Sequence, residues 1–222
     1  THLLHEANEE TPFLVVVPLS VLFNWVFEFR KWSPSIKVIR CHTNDDTEAK
    51  RLRGIISNKR KCEVVVTTYD QIKTGRMART FRSMYFNGIV LDEGHRIKNE
   101  QSTLSKACGL LKGKFRLVLT GTPIQNNLHE SWAILNFLNP SIFTDSSPFD
   151  EAFDLQDKKN GDKKVEVDRD VLSKAHYLLR PFLLRRLKGE VEQNLPMKLE
   201  TKVSCPMQPM QKFWIQRLLY RQ

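Results

Sequence analysis

The sequence lacks any apolar run of the ~18 residues that a membrane-crossing helix requires. It also lacks a charged start followed by an apolar signal core, so no membrane partner is expected. Cysteine is scarce: Cys41, Cys62, Cys108 and Cys205 are far apart, and none falls in a CxxC pair. That spacing argues against a disulfide framework or a structural zinc site, and predicts four buried thiols in a reducing compartment. No segment repeats at a period of 20–50 residues, which excludes a solenoid. Acidic residues are in the minority. Against 35 Lys and Arg stand 25 Asp and Glu, a net charge of +10 that excludes a uniformly acidic surface and suits phosphate-bearing partners. A phosphate loop is missing as well. The nearest match to GxxxxGK[ST] is Gly109-Leu-Leu-Lys-Gly113-Lys114-Phe115, which is one residue short, carries Phe115 in place of the hydroxyl and follows no suitable strand.

What the 222 residues do contain is 41% hydrophobic and 27% charged side chains, enough for a substantial core. The first two-thirds alternates short apolar runs with helical patterns. Strands are predicted at 13–17, 36–39, 63–67, 88–91 and 116–119. Leu22, Trp25, Val26 and Phe29 recur at helical spacing, 46–58 reads as a basic helix, and further helices are predicted at about 70–83, 101–111 and 128–138. Fully apolar strands alternating with helices predict an α/β fold, a parallel sheet covered by helices on both faces, with chemistry at the C-terminal ends of the strands.

After Pro140 the character changes. Residues 141–197 read as a helical insertion interrupted by a charged loop at 156–170. Within it, Val171, Leu172, Ala175, Leu178 and Leu179 predict a helix leading into Pro181-Phe-Leu-Leu-Arg-Arg186. A strand is expected at 199–205, and Phe213, Ile215, Leu218 and Leu219 lie at helical spacing. Residues 1–140 thus form one expected domain, and 198–222 the start of a connection. The chain opens on Thr1 and ends inside an amphipathic stretch, and it reads as a fragment.

Two segments carry chemistry. In Ile89-Val90-Leu91-Asp92-Glu93-Gly94-His95 an apolar strand delivers adjacent carboxylates at its end. A phosphate-handling ATPase needs one carboxylate to order Mg²⁺ with its water ligands and a second to polarise the attacking water. Because neighbours on a strand point to opposite sides, the turn after it must let both carboxylates reach one place. In Leu117-Val118-Leu119-Thr120-Gly121-Thr122-Pro123 another apolar strand ends in hydroxyls and turn formers. These hydroxyls are placed to bond the acidic loop and report on a γ-phosphate; an ordinary capped strand-to-helix turn is the competing reading.

Residues 89–99 and 117–138 closely resemble the SWI/SNF-type chromatin-remodelling ATPases of helicase superfamily two. The resemblance extends to Val17-Pro18-Leu19-Ser20, Asn24-Trp25, Glu28-Phe29, Thr67-Thr68-Tyr69, Pro181–Val191 and Leu195-Pro196, in the family's order over nearly the whole chain. It implies the first of two RecA-like lobes, with a helical insertion, in a nuclear enzyme that uses ATP and Mg²⁺ to translocate on duplex DNA of the nucleosome, in company with other remodeller subunits. Asp92 is then the Mg²⁺ residue of a DEGH box and Glu93 the water-activating one. His95 and Gln125 help couple nucleotide to DNA, and Thr120, Gly121 and Thr122 form the coupling loop. Ser20, Asn24, Thr68 and Tyr69 match motifs that touch the tracking DNA strand, through sequence-insensitive phosphate contacts. For Arg185 and Arg186 a structural and a DNA role both stay open. The family's phosphate loop would precede residue 1, and with it and the second lobe absent the isolated chain is expected to be inactive. Rival readings are a non-enzymatic scaffold that binds nucleic acid or histones, and a bacterial-type relative acting on RNA polymerase.

Overall fold

Five short strands form one all-parallel sheet in the computed structural model, which describes residues 11–58, 62–121, 128–144, 180–186 and 199–220. The strands are β1 (Phe13–Val17), β2 (Val38–Cys41), β3 (Val64–Thr68), β4 (Tyr85–Leu91) and β5 (Lys112–Val118), in the order β2-β3-β1-β4-β5. β1 and β3 are buried along their entire length, which is why they read as continuous apolar runs rather than alternating ones. The helices are α1 (Leu22–Trp32), α2 (Asp46–Ile56), α3 (Tyr69–Lys73), α4 (Ala78–Ser83), α5 (Thr103–Gly109), α6 (Leu128–Leu138) and α7 (Pro209–Tyr220).

The two faces of the sheet bury different sets of residues, as the pleat dictates. Phe13, Val15 and Val17 join Val64, Val66 and the α1 residues Leu22 and Val26 in one cluster. Leu14 and Val16 join Val65, Ile89 and Leu91 in the other, under α2 (Ala49, Leu52, Ile56), α3 (Ile72), α5 (Ala107, Cys108) and α6 (Ile134, Phe137). Helices therefore cover both faces, as the alternation of patterns predicted. α2 begins on a side-chain cap: Asp45 accepts from the main-chain N–H groups of Thr47 and Glu48, at 3.3 and 3.0 Å.

The chain divides into two units, Thr1–Val165 and Glu166–Gln222. The sheet and α1 to α6 belong to the first; the helical elements described in the second are a 3-10 helix, Arg180–Phe182, and the solvent-exposed α7. Most of the expected insertion at 141–197, including the 156–170 loop and the 171–179 helix, lies outside the described residues, as does Thr1–His5.

Some local expectations are corrected. The second strand is Val38–Cys41, not 36–39, because Ile36 donates its N–H to Ser33 O at 3.1 Å and is held in a turn. The helix expected at 70–83 is split in two at Gly75, whose absent β-carbon would fall 2.5 Å from Gln71 Cα. The fifth strand begins at Lys112, pairing with Tyr85 of β4. Residues 199–205 form no strand. Of the four thiols, Cys41, Cys62 and Cys108 are buried but Cys205 is exposed.

Strand order positions the site. After β1 the chain builds β2 and β3 on one side of it, then crosses to place β4 on the other. A crevice opens at such a reversal, outside the C-terminal ends of the strands. Here those ends are Val17-Pro18, Thr68-Tyr69 and Leu91-Asp92.

Candidate active site

β4 delivers the acidic pair to that crevice. The ladder with β1 runs one bond past the strand, Asp92 donating its N–H to Val16 O at 2.9 Å. Glu93 then adopts φ 53° and ψ 50°, the one non-glycine with positive φ among the described residues. A left-handed conformation costs such a residue of order 1–3 kcal/mol and persists only where its surroundings enforce it. It ends the up-down alternation of the strand, so Asp92 and Glu93 are no longer bound to opposite faces. The chain continues into a 3-10 helix, Gly94–Ile97, anchored by buried Ile97.

The turn is enforced from β5. Leu119 donates to Leu91 O and Gly94 donates to Leu119 O, both at 2.8 Å. The approach is so close that a β-carbon on Gly94 would sit 2.0 Å from Val118 Cγ1. Half-buried Thr120 and exposed Gly121 follow directly. The acidic turn and the hydroxyl-bearing loop, 25 or more residues apart in sequence, are thus one structure. Arg116 steadies it from behind. Its guanidinium donates to Phe137 O at 2.7 Å and to Leu111 O at 2.8 Å, tying β5 to the last turn of α6. That is where a positive charge is favoured by the helix dipole.

Two further elements converge on Asp92. The Trp25 indole N–H of α1 donates to Asp92 Oδ2 at 2.8 Å, and the Glu93 main-chain N–H donates to Oδ1 at 3.0 Å. The Tyr69 hydroxyl donates to the Asp92 carbonyl at 2.6 Å. Burial pushes this phenol above its ordinary range, so it remains a donor at any physiological pH. The Arg96 guanidinium stacks 5.0 Å from the centre of its ring. Glu93 reaches His95, with Oε2 at 3.2 Å from Nδ1; the two side chains are 45% and 42% exposed, open enough for a water to meet the carboxylate.

The donor set suits Mg²⁺. Each Asp92 oxygen spends one acceptor position on a protein donor and keeps further capacity. Mg²⁺ takes one or two carboxylates and completes its shell with water and phosphate oxygens rather than a protein cage.

Asp92, Glu93, His95, Thr120 and Gly121 are therefore gathered in one place, while Thr122 and Gln125 lie outside the described residues. The four residues matched to DNA-tracking motifs divide. Ser20, in the 3-10 helix Leu19–Val21, and Asn24, in the first turn of α1, are exposed. Thr68 and Tyr69 are buried, Thr68 Oγ1 lying 3.0 Å from His42 Nδ1. Sequence reasoning missed Trp25, Arg96 and Arg116 as parts of the site. For Trp25 a signal existed: a half-buried indole N–H beside a polar motif needs an acceptor.

The chain is similar to known proteins over nearly its whole length. The family profile described as SNF2-related domain matches residues 1–222. The "ISWI chromatin-remodeling complex ATPase ISW2" of Saccharomyces cerevisiae is 46% identical over 210 residues, covering 95% of this chain and 18% of that protein. The "SWI/SNF-related matrix-associated actin-dependent regulator of chromatin subfamily A member 1" of Homo sapiens is 40% identical over 221 residues, covering 99% of this chain and 20% of that protein. The chain thus spans about a fifth of the length of these curated relatives. Among solved structures, the "Sulfolobus solfataricus SWI2/SNF2 ATPase core in complex with dsDNA" superposes with a TM-score of 0.68 at 31% identity, covering 98% of this chain and 43% of that one.

Proposed function

Since this chain belongs to the SNF2-related domain family, we propose that it is the first RecA-like ATPase lobe of a nuclear, DNA-translocating chromatin remodeller. The substrate is ATP, used with Mg²⁺; the track is duplex DNA on a nucleosome, and other remodeller subunits are partners. The observation that carries the reading is the acidic turn. Two carboxylates leave the central sheet at its point of strand reversal, one of them in a left-handed conformation held by the β5 loop.

Mg²⁺, when bound, would supply neutralisation of the charge that develops on the phosphates. Asp92, held at both oxygens and at its carbonyl, is the residue that would hold that ion. Glu93 accepts the proton of the attacking water at its carboxylate. His95, 3.2 Å from Glu93, holds that carboxylate in place. The loop beginning at Thr120 and Gly121 is tied to the acidic turn through the Gly94–Leu119 bond, which suits it to coupling; Thr122 and Gln125 complete that role. Exposed Ser20 and Asn24 contact DNA phosphates. Thr68 and Tyr69 support that surface and the acidic turn from beneath, and the net charge of +10 favours the polyanion without selecting sequence. The intact carboxylates favour a motor over a passive scaffold. The test is ATP hydrolysis by the full-length protein with and without duplex DNA, together with repositioning of a mononucleosome. Hydrolysis that ignores DNA, or octamers that stay in place, would contradict the reading.

A further inference from the structure

Trp25 is not itself a reacting group, yet it touches the carboxylate on which the chemistry turns. An indole N–H can only donate. This one donates to Asp92 Oδ2 at 2.8 Å, from a residue 67 positions earlier. The second oxygen is taken by the Glu93 N–H at 3.0 Å. The terminal torsion of an aspartate is soft; a donor on each oxygen fixes the plane of the group. The donor is itself anchored. Trp25 packs against the cluster of Phe13, Val15, Val17, Leu22 and Val26, and its ring lies 6.1 Å from that of Phe29 at 42°. The arrangement also discriminates at position 92. Two converging donors require two acceptors, which a carboxylate offers and a carboxamide does not. A residue serving only to fill space here would need no N–H.

We propose that Trp25 is a positioning residue for the magnesium carboxylate. Its N–H sets the plane of Asp92 so that the remaining acceptor positions meet the ion and its waters. The proposal rests on the ATPase reading above, with Asp92 as the metal residue. It adds that α1, the helix that exposes Asn24 to solvent, reaches the metal position through a single hydrogen bond.

The test uses the full-length protein with two changes at this position: Trp25→Phe, and site-specific replacement of Trp25 by 3-benzothienylalanine, which keeps the shape of the ring and exchanges its N–H for sulfur. The probe is Mn²⁺, followed by electron paramagnetic resonance in the presence of a non-hydrolysable ATP analogue. Both changes are expected to weaken Mn²⁺ binding about tenfold or more, the usual effect of losing a partner that orients a metal ligand. They should also raise the Mg²⁺ concentration needed for half-maximal hydrolysis. Thermal stability of the benzothienylalanine protein should fall by no more than the loss of one charge-assisted hydrogen bond explains, and the Mn²⁺ defect should persist at temperatures where the protein is fully folded, which separates positioning from folding. Wild-type Mn²⁺ affinity in that protein, with binding lost in Asp92→Asn, would overturn the proposal and leave the ATPase reading standing. Unchanged Mn²⁺ binding in Asp92→Asn would overturn both.

Discussion

Gly94→Ala probes the contact that holds the acidic turn against the coupling loop. The added methyl would lie 2.0 Å from Val118 Cγ1 and 3.5 Å from Leu119 O. Ordinary carbon–carbon contact is ~3.5–4 Å, so the turn and β5 must part by roughly 1.5–2 Å or Val118 must leave its rotamer. Both routes are obstructed. Gly94 N–H is bonded to Leu119 O at 2.8 Å, and Val118 packs at the edge of the larger core cluster. Forced overpacking of this kind costs about 1–3 kcal/mol. In a domain of this size each kcal/mol lowers Tm by ~2–4 °C, giving a fall of about 2–12 °C in a calorimetric or circular-dichroism melt. A displacement near 1 Å at reacting groups can also cost ~10²-fold in rate, so kcat should fall with stability. Val118→Ala removes the obstructing carbon. Alone it destabilises by about 1–2 kcal/mol through lost burial. Combined with Gly94→Ala it should cost less than the two separately, with a coupling of at least ~0.5 kcal/mol. Strict additivity in the double-mutant cycle, or a Gly94→Ala protein that melts and turns over like wild type, would refute the close-contact argument.

Other outcomes follow from the same structure. Burial pushes the thiols of Cys41, Cys62 and Cys108 up to about 12, so a thiol reagent at neutral pH should label exposed Cys205 alone among these four until the protein is unfolded; mass spectrometry of the labelled peptides checks this. The same shifts fix a sign. Between pH 9 and 12 the unfolded chain releases these protons while the folded one keeps them, so stability should be complete below about pH 9 and decline as pH rises toward 12, as denaturant titrations would show. Ser20→Ala with Asn24→Ala should lower DNA-stimulated ATPase more than basal ATPase, because neutral side chains of this kind position the DNA backbone. Replacing two lysines by alanine in the 157–164 stretch should do much less, and an equal effect would leave only generic charge as the explanation.

The parts legible in the sequence were those decided by local composition and burial. β1 and β3 are enclosed on both faces, and their uninterrupted Phe-Leu-Val-Val-Val and Val-Val-Val-Thr-Thr runs say so directly. The start of β5 was hidden because Lys112 and Lys114 are exposed and polar; only pairing with β4 makes them strand residues. The break at Gly75 was overlooked because one glycine among polar residues does not by itself end a helix, whereas buried Ile72 and Phe81 pack from two separate short helices. The acidic pair and its companion loop were readable as motifs. Their union was expected through side-chain hydroxyls; the main-chain bonds between Leu91, Gly94 and Leu119 that join them were not readable. Tyr69 illustrates the limit most clearly. As a motif residue it suggests a surface, yet its ring is buried and its hydroxyl meets the carbonyl of Asp92, 23 positions away. Contacts of that range leave no periodic trace.

The central claim is that Glu93 is the proton acceptor for water attack on ATP while Asp92 serves the metal. The most direct measurement is a single-turnover reaction of the full-length Glu93→Gln protein with radiolabelled ATP, Mg²⁺ and duplex DNA, alongside equilibrium binding of the same nucleotide. The account predicts nucleotide affinity within a few-fold of wild type and hydrolysis slowed by about 10²-fold or more, the contribution expected of a positioned general base. Hydrolysis at the wild-type rate in that protein would contradict it.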